Sequence, residues 1–282
     1  MIPSELSGKV KSLLKEQGFT HVGITAACRT DHAESSLNHW LNKKFNGSMI
    51  WMEKRKSERG NIFEYYPAAK SIISTGINYF SGRAGSNAKI SNYAWGDDYH
   101  DVLKKKLYQV LKKIKEFNPI IQGRVCVDTS PIMEKTWAQK AGIGWIGKHT
   151  NLITRDYGSW IFLGEIILDI ELEYDPEFNQ DLCGTCTACM DACPVEALTE
   201  PYQIDATKCI SYLTIEYRNE FDSSINNHDW IYGCDICQEV CPWNVKFEEK
   251  SNLGQFHQRK GISSKDLDTW SKISKEEFNE IF

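Results

Sequence analysis

The stretch "DLCGTCTACMDACPVEAL", residues 181–198, contains four cysteines with the spacing C-x2-C-x2-C-x3-C-P. This spacing is typical of thiolates that bind cubane [4Fe–4S] clusters. The first three cysteines of such a run bind one cluster, whereas the fourth turns away and binds a second cluster. The stretch therefore predicts a domain with two clusters, provided that the chain supplies the remaining ligands.

A second cysteine run supplies them. It is "CDICQEVCP", residues 234–242, and it follows Cys209 in "ATKCISYL". The crossing of ligands between paired clusters assigns Cys183, Cys186, Cys189 and Cys241 to the first cluster and Cys193, Cys209, Cys234 and Cys237 to the second. A pair of structural zinc sites is the alternative, because CxxC pairs also bind zinc. The proline after the last cysteine of each run favours cubane clusters.

The remaining sequence indicates a reducing compartment. Cys28 and Cys126 lie on predicted strands, where we expect small buried residues. The amino-terminal sequence "MIPSELSGKVKSLLKEQG" predicts an amphipathic helix and lacks the features of a secretory signal. No apolar run approaches the roughly 18 residues of a membrane helix. We expect a cytoplasmic monomer without a membrane partner, whose cysteines bind metal instead of forming disulfides.

The chain of 282 residues is long enough for two domains. Strands that alternate with helices over residues 1–172 predict an α/β domain. The acidic segment "EYDPEFNQD" marks the boundary to a cysteine-rich domain over residues 173–248. Residues 249–282 are polar and weakly helical, and we expect this segment to pack on the core.

Several elements of the α/β domain can be predicted individually. We expect a helix over residues 5–17, strands at "HVGITAA" and "SIISTGINYF", and a long helix over residues 99–117. The strand "IIQGRVCVD" leads to a helix that begins near Pro131 and ends at Gly142. "TNLITRD" and "SWIFLGEIILDIEL" look like two strands joined by a Tyr-Gly turn.

The glycines of "AGIGWIGKHTN" match the G-x-G-x-x-G pattern of dinucleotide-binding sites, but their context does not. A dinucleotide site needs the glycines to follow a strand and to open a helix. Here they follow a predicted helix and open a predicted strand. We therefore interpret Gly142, Gly144 and Gly147 as a tight connection.

The net charge of −5 argues against nonspecific coating of nucleic acid. Basic residues nevertheless cluster in "KKF", "MEKRKSERG" and "LKKKLYQVLKKIK", which leaves a local patch open. For the last run we favour the solvated face of a helix, because apolar residues recur there at helical spacing. These residues are Val102, Leu103, Leu107, Val110, Leu111 and Ile114.

The strings "CVDTSPIMEKTWAQKAGIGWIGKHTNLI", "CISYLTIEYRN" and "GCDICQEVCPWN", together with the cysteine runs, resemble the epoxyqueuosine reductases, which catalyse the last step of queuosine synthesis in tRNA. The resemblance extends over essentially the whole chain. It implies the α/β fold class, with a nitroreductase-like cobalamin-binding domain plus a ferredoxin-like domain that holds two [4Fe–4S] clusters. It also implies a tRNA carrying epoxyqueuosine as substrate and a ferredoxin or flavodoxin as electron donor.

The resemblance further implies cobalamin bound base-off, without a protein ligand to cobalt. This fits "DDYHDVL", in which Asp98 and His100 match the start of a corrinoid-binding motif but Leu103 stands where that motif has glycine. Family members usually continue past "EEFNEIF" with a basic segment. We therefore expect residues 249–282 to be truncated relative to the family and some tRNA contacts to be missing.

Opening an epoxide leaves an oxygen that must be protonated, which requires a general acid. Asp128 matches the proton-donor aspartate of the family, and we expect an apolar site to keep it protonated. Alternatively, Asp128 caps the helix near Pro131, although Thr129 or Ser130 could cap it instead. The residues alone leave both roles open, and the resemblance favours catalysis.

For cobalamin we propose polar residues in loops or at element ends, where ligand contacts concentrate. They are Arg59, Tyr99, His100, Asp128, Lys148, His149, Asn151 and Ser211. Trp95 and Tyr99 are candidates for stacking on the modified base.

Two other functions stay open. A reductive dehalogenase would use the same cofactors on a small halogenated molecule, but the sequence lacks a twin-arginine export signal. A ferredoxin-like electron carrier fused to a nonenzymatic binding domain is the other alternative, and failure to bind cobalamin would favour it.

Overall fold

The computed structural model describes residues 2–83, 85, 88–220, 225–262 and 265–281. The strands are β1 (His21–Ala26), β2 (Ser71–Asn78), β3 (Lys89–Ile90), β4 (Gly123–Cys126), β5 (Trp145–Ile146), β6 (Leu152–Ile153), β7 (Ile161–Leu168) and β8 (Trp230–Tyr232). The helices are α1 (Pro3–Glu16), α2 (Asp31–Asn42), α3 (Ile50–Lys54), α4 (Lys56–Gly60), α5 (Ile62–Tyr65), α6 (Tyr99–Phe117), α7 (Glu134–Lys140), α8 (Ala188–Asp191), α9 (Ile210–Ile215), α10 (Ile236–Glu239), α11 (Pro242–Phe247), α12 (Leu267–Ser271) and α13 (Lys275–Ile281). Within the described residues, none of the helices has the length and apolar character that crossing a membrane requires.

A sheet of order β1-β2-β7-β4 organises the α/β domain, and each neighbouring pair in it is antiparallel. The central strands β2 and β7 are rich in isoleucine, whose branched side chain suits a packed sheet surface. The register places Glu165 of β7 between Ser74 of β2 and Cys126 of β4. An acidic residue therefore lies in the middle of the sheet.

Helices cover both faces of this sheet. On one face, α1 and α6 pack against a large core that includes Leu14, Leu107 and Ile73. On the other face, Trp137 of α7 packs against Ile72 in a second core. Because successive side chains of a strand point to opposite faces, the adjacent isoleucines of β2 belong to different cores. The predicted layered α/β arrangement is confirmed.

The helix predicted over residues 99–117 is confirmed as α6. Each of its six predicted apolar residues is buried, which supports the solvated-face interpretation of the intervening lysines. The side chain of Asp98 caps the helix by accepting the His100 N–H at 2.8 Å. The cap fixes His100 at the first turn, next to the loop that follows β4.

The segment after residue 248 contacts the α/β core. The Ser251 hydroxyl donates to the Asn78 carbonyl at 2.7 Å, and Phe256 joins the core beneath α6. Ile281 of α13 lies in a smaller cluster with Trp95. The domain boundaries at residues 172 and 248 stay predictions.

The helix expected from Pro131 begins instead at Glu134. Tight turns precede it, because the Thr129 N–H donates to Val127 and the Ile132 N–H to Ser130. Asp128 has a left-handed φ of 51°, whereas a helix cap has extended backbone. Met133 occupies the cap position of α7. The alternative role of Asp128 as the cap of this helix is therefore wrong.

The strand predictions also need correction. β6 pairs with β5 instead of β7, because a turn bridged by Thr154 and Gly158 redirects the chain before β7. The strand predicted at "IIQGRVCVD" shrinks to the four residues of β4. Cys28 lies beyond the end of β1 and is half-buried, whereas Cys126 is fully buried on β4.

The glycine-rich connection between α7 and β5 has the predicted role. Gly142 ends the helix with a φ of 79°, which favours glycine. A Cβ atom on Gly144 would lie 2.0 Å from the Ile153 carbonyl oxygen. The glycines thus permit a close approach of backbone segments, and they follow a helix and open a strand.

Candidate functional site

The first predicted ligand set comes together around α8. Burial, together with the nearby Cys241, Cys183 and Cys186, raises the pKa of the Cys189 thiol to about 11. Cys241 is the cap residue of α11, whose first residue is Pro242. Proline suits that position because its missing N–H would have no helical partner there.

The second predicted set lies beside α9 and α10. Burial, together with the nearby Cys209 and Cys193, raises the pKa of the Cys234 thiol to about 12. Burial also raises the pKa of Cys237, with contributions from Cys234 and Cys209. Within each set the cysteines thus lie close enough to influence one another's charge, as the ligands of one cluster would.

The two sets adjoin each other, because Cys189 of the first also acts on the pKa of Cys237 in the second. In the described part of the chain, no three His, Cys, Asp or Glu side chains converge tightly enough for a single metal ion. A cubane cluster binds its thiolates through separate irons and does not need that convergence.

Lys148 lies between β5 and β6, and its side chain contacts the loop that carries the first ligand set. It is 9% exposed, and its ammonium donates to the carbonyls of Gly184 at 2.6 Å and Cys186 at 2.9 Å. Lys148, which is predicted to contact cobalamin, thus donates these hydrogen bonds to the cysteine loop. A buried positive charge next to a cluster is one of the features by which proteins set cluster potentials.

Three other residues predicted to contact the cofactor are His149, Asn151 and Ser211. The buried His149 accepts the Asn151 N–H at Nδ1, while its Nε2 has no hydrogen-bond partner in the described structure. Burial, together with the charge of Lys135, lowers the pKa of His149 to about 4. Lys135 donates to the Asn151 side chain at 2.9 Å. Ser211 lies on α9, directly after Ile210.

Aromatic side chains connect the first ligand set to the β5–β6 hairpin. Trp145 packs at 4.9 Å against Trp243 and at 5.5 Å against Phe178, measured between ring centroids. Cys241 and Ile153 belong to the same buried cluster. This packing fixes the cysteine-rich region against the α/β domain.

An open cavity of about 1130 Å³ lies beside α7. Its lining includes Trp51, Arg59, Asp128, Glu134 and Lys135. Of the residues predicted to bind cobalamin, the described lining contains Arg59 and Asp128. The described lining does not include Tyr99, His100, Lys148, His149, Asn151 or Ser211.

Asp128 is held at the cavity wall by His100 and Tyr99. The Nε2 atom of His100 lies 3.1 Å from Asp128 Oδ2, and its Nδ1 atom lies 2.8 Å from Asp98 Oδ1. The Tyr99 ring stacks on His100 at 4.1 Å, and its hydroxyl hydrogen-bonds to Asp128. α6 therefore supplies both partners of the carboxylate.

The charge state of Asp128 differs from the expectation. The hydrogen bond from His100 holds the pKa of Asp128 below its usual range, and the same bond raises the pKa of His100. The Asp128 side chain is 56% exposed to the cavity, so burial does not dominate. The expectation of a protonated Asp128 in an apolar site is wrong here, and the proton of the pair resides on His100.

Comparison with known proteins decides the family. A family model described as "Epoxyqueuosine reductase QueG, DUF1730" matches residues 59–129, and one described as "4Fe-4S double cluster binding domain" matches residues 182–244. The epoxyqueuosine reductase of Synechocystis sp. is 44% identical over 270 residues, which cover 93% of this chain and 92% of that protein. The chain belongs to the epoxyqueuosine reductase family.

Solved structures agree with this membership. An epoxyqueuosine reductase crystallised with an epoxyqueuosine-modified tRNA-Tyr stem loop matches with a TM-score of 0.87 and 29% identity, over 98% of this chain and 75% of that one. A reductive dehalogenase structure described as suggesting "a mechanism for B12-dependent dehalogenation" matches with a TM-score of 0.52 and 16% identity, over 90% of this chain and 34% of that one. The second likeness concerns the fold alone. The predicted fold class is confirmed.

Two aromatic residues of this epoxyqueuosine reductase family member differ in how free they are to stack on a base. Trp95 is 3% exposed, and its ring N–H donates to the Ile90 carbonyl at 2.8 Å. It belongs to a core, so the stacking prediction is wrong for Trp95. Tyr99 already stacks on Phe162 at 4.3 Å, with the rings within 6° of parallel.

Sequence reasoning missed a pair of carboxyl groups behind Asp128. Glu134 accepts the Asp128 N–H at 2.7 Å, and its carboxyl group lies close enough to Glu165 for each to influence the pKa of the other. Glu165 is 0% exposed and accepts the Ser74 hydroxyl at 3.0 Å. One signal was available, because Glu165 is the only charged residue in the apolar strand "IFLGEIIL" and acidic residues are rarely buried without a partner.

Proposed function

We propose that this chain reduces epoxyqueuosine to queuosine at the wobble position of tRNA. The 44% identity to an epoxyqueuosine reductase over 93% of the chain carries this proposal. The reaction converts the epoxide to a carbon–carbon double bond and releases its oxygen as water. Each turnover therefore consumes two electrons and two protons, which the site has to deliver.

The cavity fits cobalamin as the group that meets the epoxide. Its volume of about 1130 Å³ exceeds the roughly 300–1,000 Å³ of ordinary small-molecule sites. The buried Nε atom of Arg59 has no partner in the described structure and can donate to a polar substituent of the corrin ring. When bound, cobalamin supplies a cobalt centre that transfers low-potential electrons to the carbon–oxygen bond. Arg59 and Asp128 would contact it directly, and the other predicted contacts remain proposals.

The surroundings of His100 support a cobalt without His100 as ligand, and we keep base-off binding without any protein ligand as part of this proposal. Both ring nitrogens of His100 are engaged, one by Asp98 and the other by Asp128. A histidine ligates a metal through a free ring nitrogen. His100 therefore serves the carboxylate and has no free ring nitrogen for cobalt.

His100 and Asp128 hold the first proton. Their hydrogen bond raises the pKa of His100 and lowers that of Asp128, which favours the imidazolium–carboxylate form of the pair. When the carbon–oxygen bond breaks, the proton moves from His100 through Asp128 to the epoxide oxygen. Tyr99 orients the carboxylate by donating its hydroxyl proton in a hydrogen bond. Asp128 is the catalytic residue, and His100 positions and recharges it.

Electrons reach the cavity through the second cluster. Lys135 lines the cavity, and Cys237 of the second set lies close enough to influence the pKa of Lys135. Cys189 of the first set acts on Cys237 in turn. We therefore propose that electrons step through the two clusters to the cavity. A ferredoxin or flavodoxin would deliver single electrons to the first cluster.

The tRNA would approach over the basic run "MEKRKSERG". Trp51, just before this run, and Arg59, near its end, line the cavity. Lys54 and Lys56 between them are exposed and can contact backbone phosphates, which position a nucleic acid without reading its sequence. We keep the monomeric state and the cytoplasmic location as parts of this proposal.

A spectroscopic experiment separates this function from an electron carrier and from a dehalogenase. The protein is purified without oxygen, loaded with iron, sulfide and cobalamin, and studied by electron paramagnetic resonance. We expect two [4Fe–4S] clusters and base-off cob(II)alamin, and no debromination of a bromophenol by the reduced protein. Clusters without bound cobalamin would favour the carrier, and rapid debromination would favour the dehalogenase.

A further inference from the structure

The reaction needs two protons, and the His100–Asp128 pair holds one of them. The second proton has an unassigned source next to the same residues. Glu134 lies at the start of α7, half-buried, and lines the cavity. Glu165 lies behind it in the centre of the sheet and is 0% exposed.

The buried carboxyl group of Glu165 requires a proton. The Ser74 hydroxyl donates to its Oε1, whereas its Oε2 has no hydrogen-bond partner in the described structure. A charged carboxylate with an unpaired buried oxygen is costly, and the neighbouring Glu134 adds repulsion. The ammonium of Lys135 donates to the Thr150 carbonyl and the Asn151 side chain.

We propose that Glu134 and Glu165 form a proton store for the reaction, from which Glu134 releases one proton into the cavity beside Asp128. This inference rests on the proposed function, because the demand for a second proton comes from epoxide reduction. The proton that remains on Glu165 keeps the pair from carrying two negative charges. The Glu134 carboxylate left after release accepts the Asp128 N–H.

The charges around Glu134 suit this role. Burial, together with the charge of Asp128, outweighs the lowering by the Asp128 N–H and by Lys135, so the pKa of Glu134 is raised to about 7. Burial and the neighbouring Glu134 raise the pKa of Glu165 well above its usual value, so it keeps its proton. The titratable and charged groups that face Glu134 are Glu165 on β7, Asp128 after β4, Cys126 on β4, Arg59 on α4, Tyr99 on α6 and Lys135 on α7. An acid with a pKa near the working pH is an efficient proton donor.

The reaction then balances. Two electrons arrive through the clusters, and both bonds from carbon to the epoxide oxygen break as the carbon–carbon double bond forms. The first proton reaches the oxygen from His100 through Asp128, and the second comes from Glu134. The oxygen leaves as water, and protons from solvent recharge His100 and Glu134 through the open cavity.

Glutamine substitutions at the two positions provide a matched test. In Glu134→Gln the side-chain oxygen still accepts the Asp128 N–H, but no proton can be released. In Glu165→Gln the amide still accepts from Ser74 and is uncharged, as the protonated acid is. A purely structural pair would respond similarly to both changes, whereas the proton store responds to Glu134→Gln alone.

Infrared spectroscopy of the cluster- and cobalamin-loaded enzyme is the first readout. We expect the wild type and Glu165→Gln to show a carboxylic acid band that disappears as pH rises through about 7, and Glu134→Gln to lack it. The exposed Glu171→Gln serves as the control and should match the wild type. Absence of a titrating acid band from the wild type would overturn the proposal, whatever the enzyme does to tRNA.

Single-turnover rates on an epoxyqueuosine stem-loop are the second readout. Above pH 7 the wild-type rate should fall as Glu134 loses its proton, and Glu134→Gln should lower the rate at pH 6 by about a hundredfold and remove this fall. A Glu134→Gln enzyme with the wild-type rate and pH profile would overturn the inference. A wild type with the titrating band but without any product would instead count against the proposed function.

Discussion

His100 and Asp128 are joined by a hydrogen bond of 3.1 Å between Nε2 and Oδ2, although 28 residues separate them in the chain. The bond exists because α6 begins at its Asp98 cap next to the turn that follows β4. Its consequence is an ionic pair at the cavity wall, in which His100 carries the proton that, in our proposal, Asp128 delivers.

Replacing Asp128 by Asn should abolish turnover and leave both clusters bound, because the amide cannot pass a proton to the substrate. Loss of activity by at least a hundredfold is expected, measured with an epoxyqueuosine stem-loop and a chemically reduced enzyme. Iron content and the cobalamin spectrum provide the control. Near-normal turnover of the variant would rule out Asp128 as the proton donor.

Activity should also depend on the protonation of His100. Its pKa is raised, mainly by the hydrogen bond to Asp128, so the imidazolium persists above the ordinary histidine range and is lost as pH rises further. In a single-turnover pH profile, His100→Asn should reduce the rate and remove this decline, while the decline near pH 7 that we ascribe to Glu134 remains. A variant that keeps both declines would show that another group controls this proton.

Substitution of one cysteine in either ligand set should remove one cluster and spare the other. We expect Cys186→Ser and Cys234→Ser each to lower the iron content from about eight to about four per chain. Cys28→Ser should retain the full content, because Cys28 belongs to neither set. Loss of both signals in electron paramagnetic resonance from Cys186→Ser would contradict independent ligand sets, unless the protein had unfolded by circular dichroism.

Lys148 should influence the first cluster more than cobalamin. Its ammonium binds the carbonyls of Gly184 and Cys186, so Lys148→Met removes a positive charge from the cluster loop. The oxidised, less negative cluster gains relative stability, and we expect a more negative midpoint potential in a redox titration. Weakened cobalamin binding with an unchanged potential would instead support the contact predicted from the sequence.

Two exposed lysines near the cavity should contribute to tRNA binding. Lys54→Gln combined with Lys56→Gln should reduce the dependence of log affinity on log salt by about two. The matched control is Lys105→Gln with Lys112→Gln, which removes the same charge from the solvated face of α6. Equal effects of the two double variants would refute a specific role for the first pair.

The sequence was sufficient for the double-cluster domain, the layered α/β class and the long helix α6, because each depends on local spacing, whereas the assignment of each cysteine to a cluster stays a prediction. It was insufficient for the hydrogen bonds of Asp128, since His100, Glu134 and Glu165 approach it only through the packing of α6, α7 and β7. The helix start near Pro131 was mispredicted because tight turns at residues 127–132 leave the region before Glu134 unwound. The hydrogen bonds of Lys148 to the cysteine loop were not foreseen for a similar reason, as its partners lie 36 and 38 residues away, and its contact with cobalamin stays a prediction.

The most direct measurement is the mass of an epoxyqueuosine-modified anticodon stem-loop after a single turnover with anaerobically reduced, cluster- and cobalamin-loaded protein. We predict that the modified nucleoside loses one oxygen atom and becomes queuosine, and that Asp128→Asn leaves it unchanged. An unchanged mass with the wild-type protein, under conditions in which bound cobalamin is reduced and reoxidised, would contradict the account.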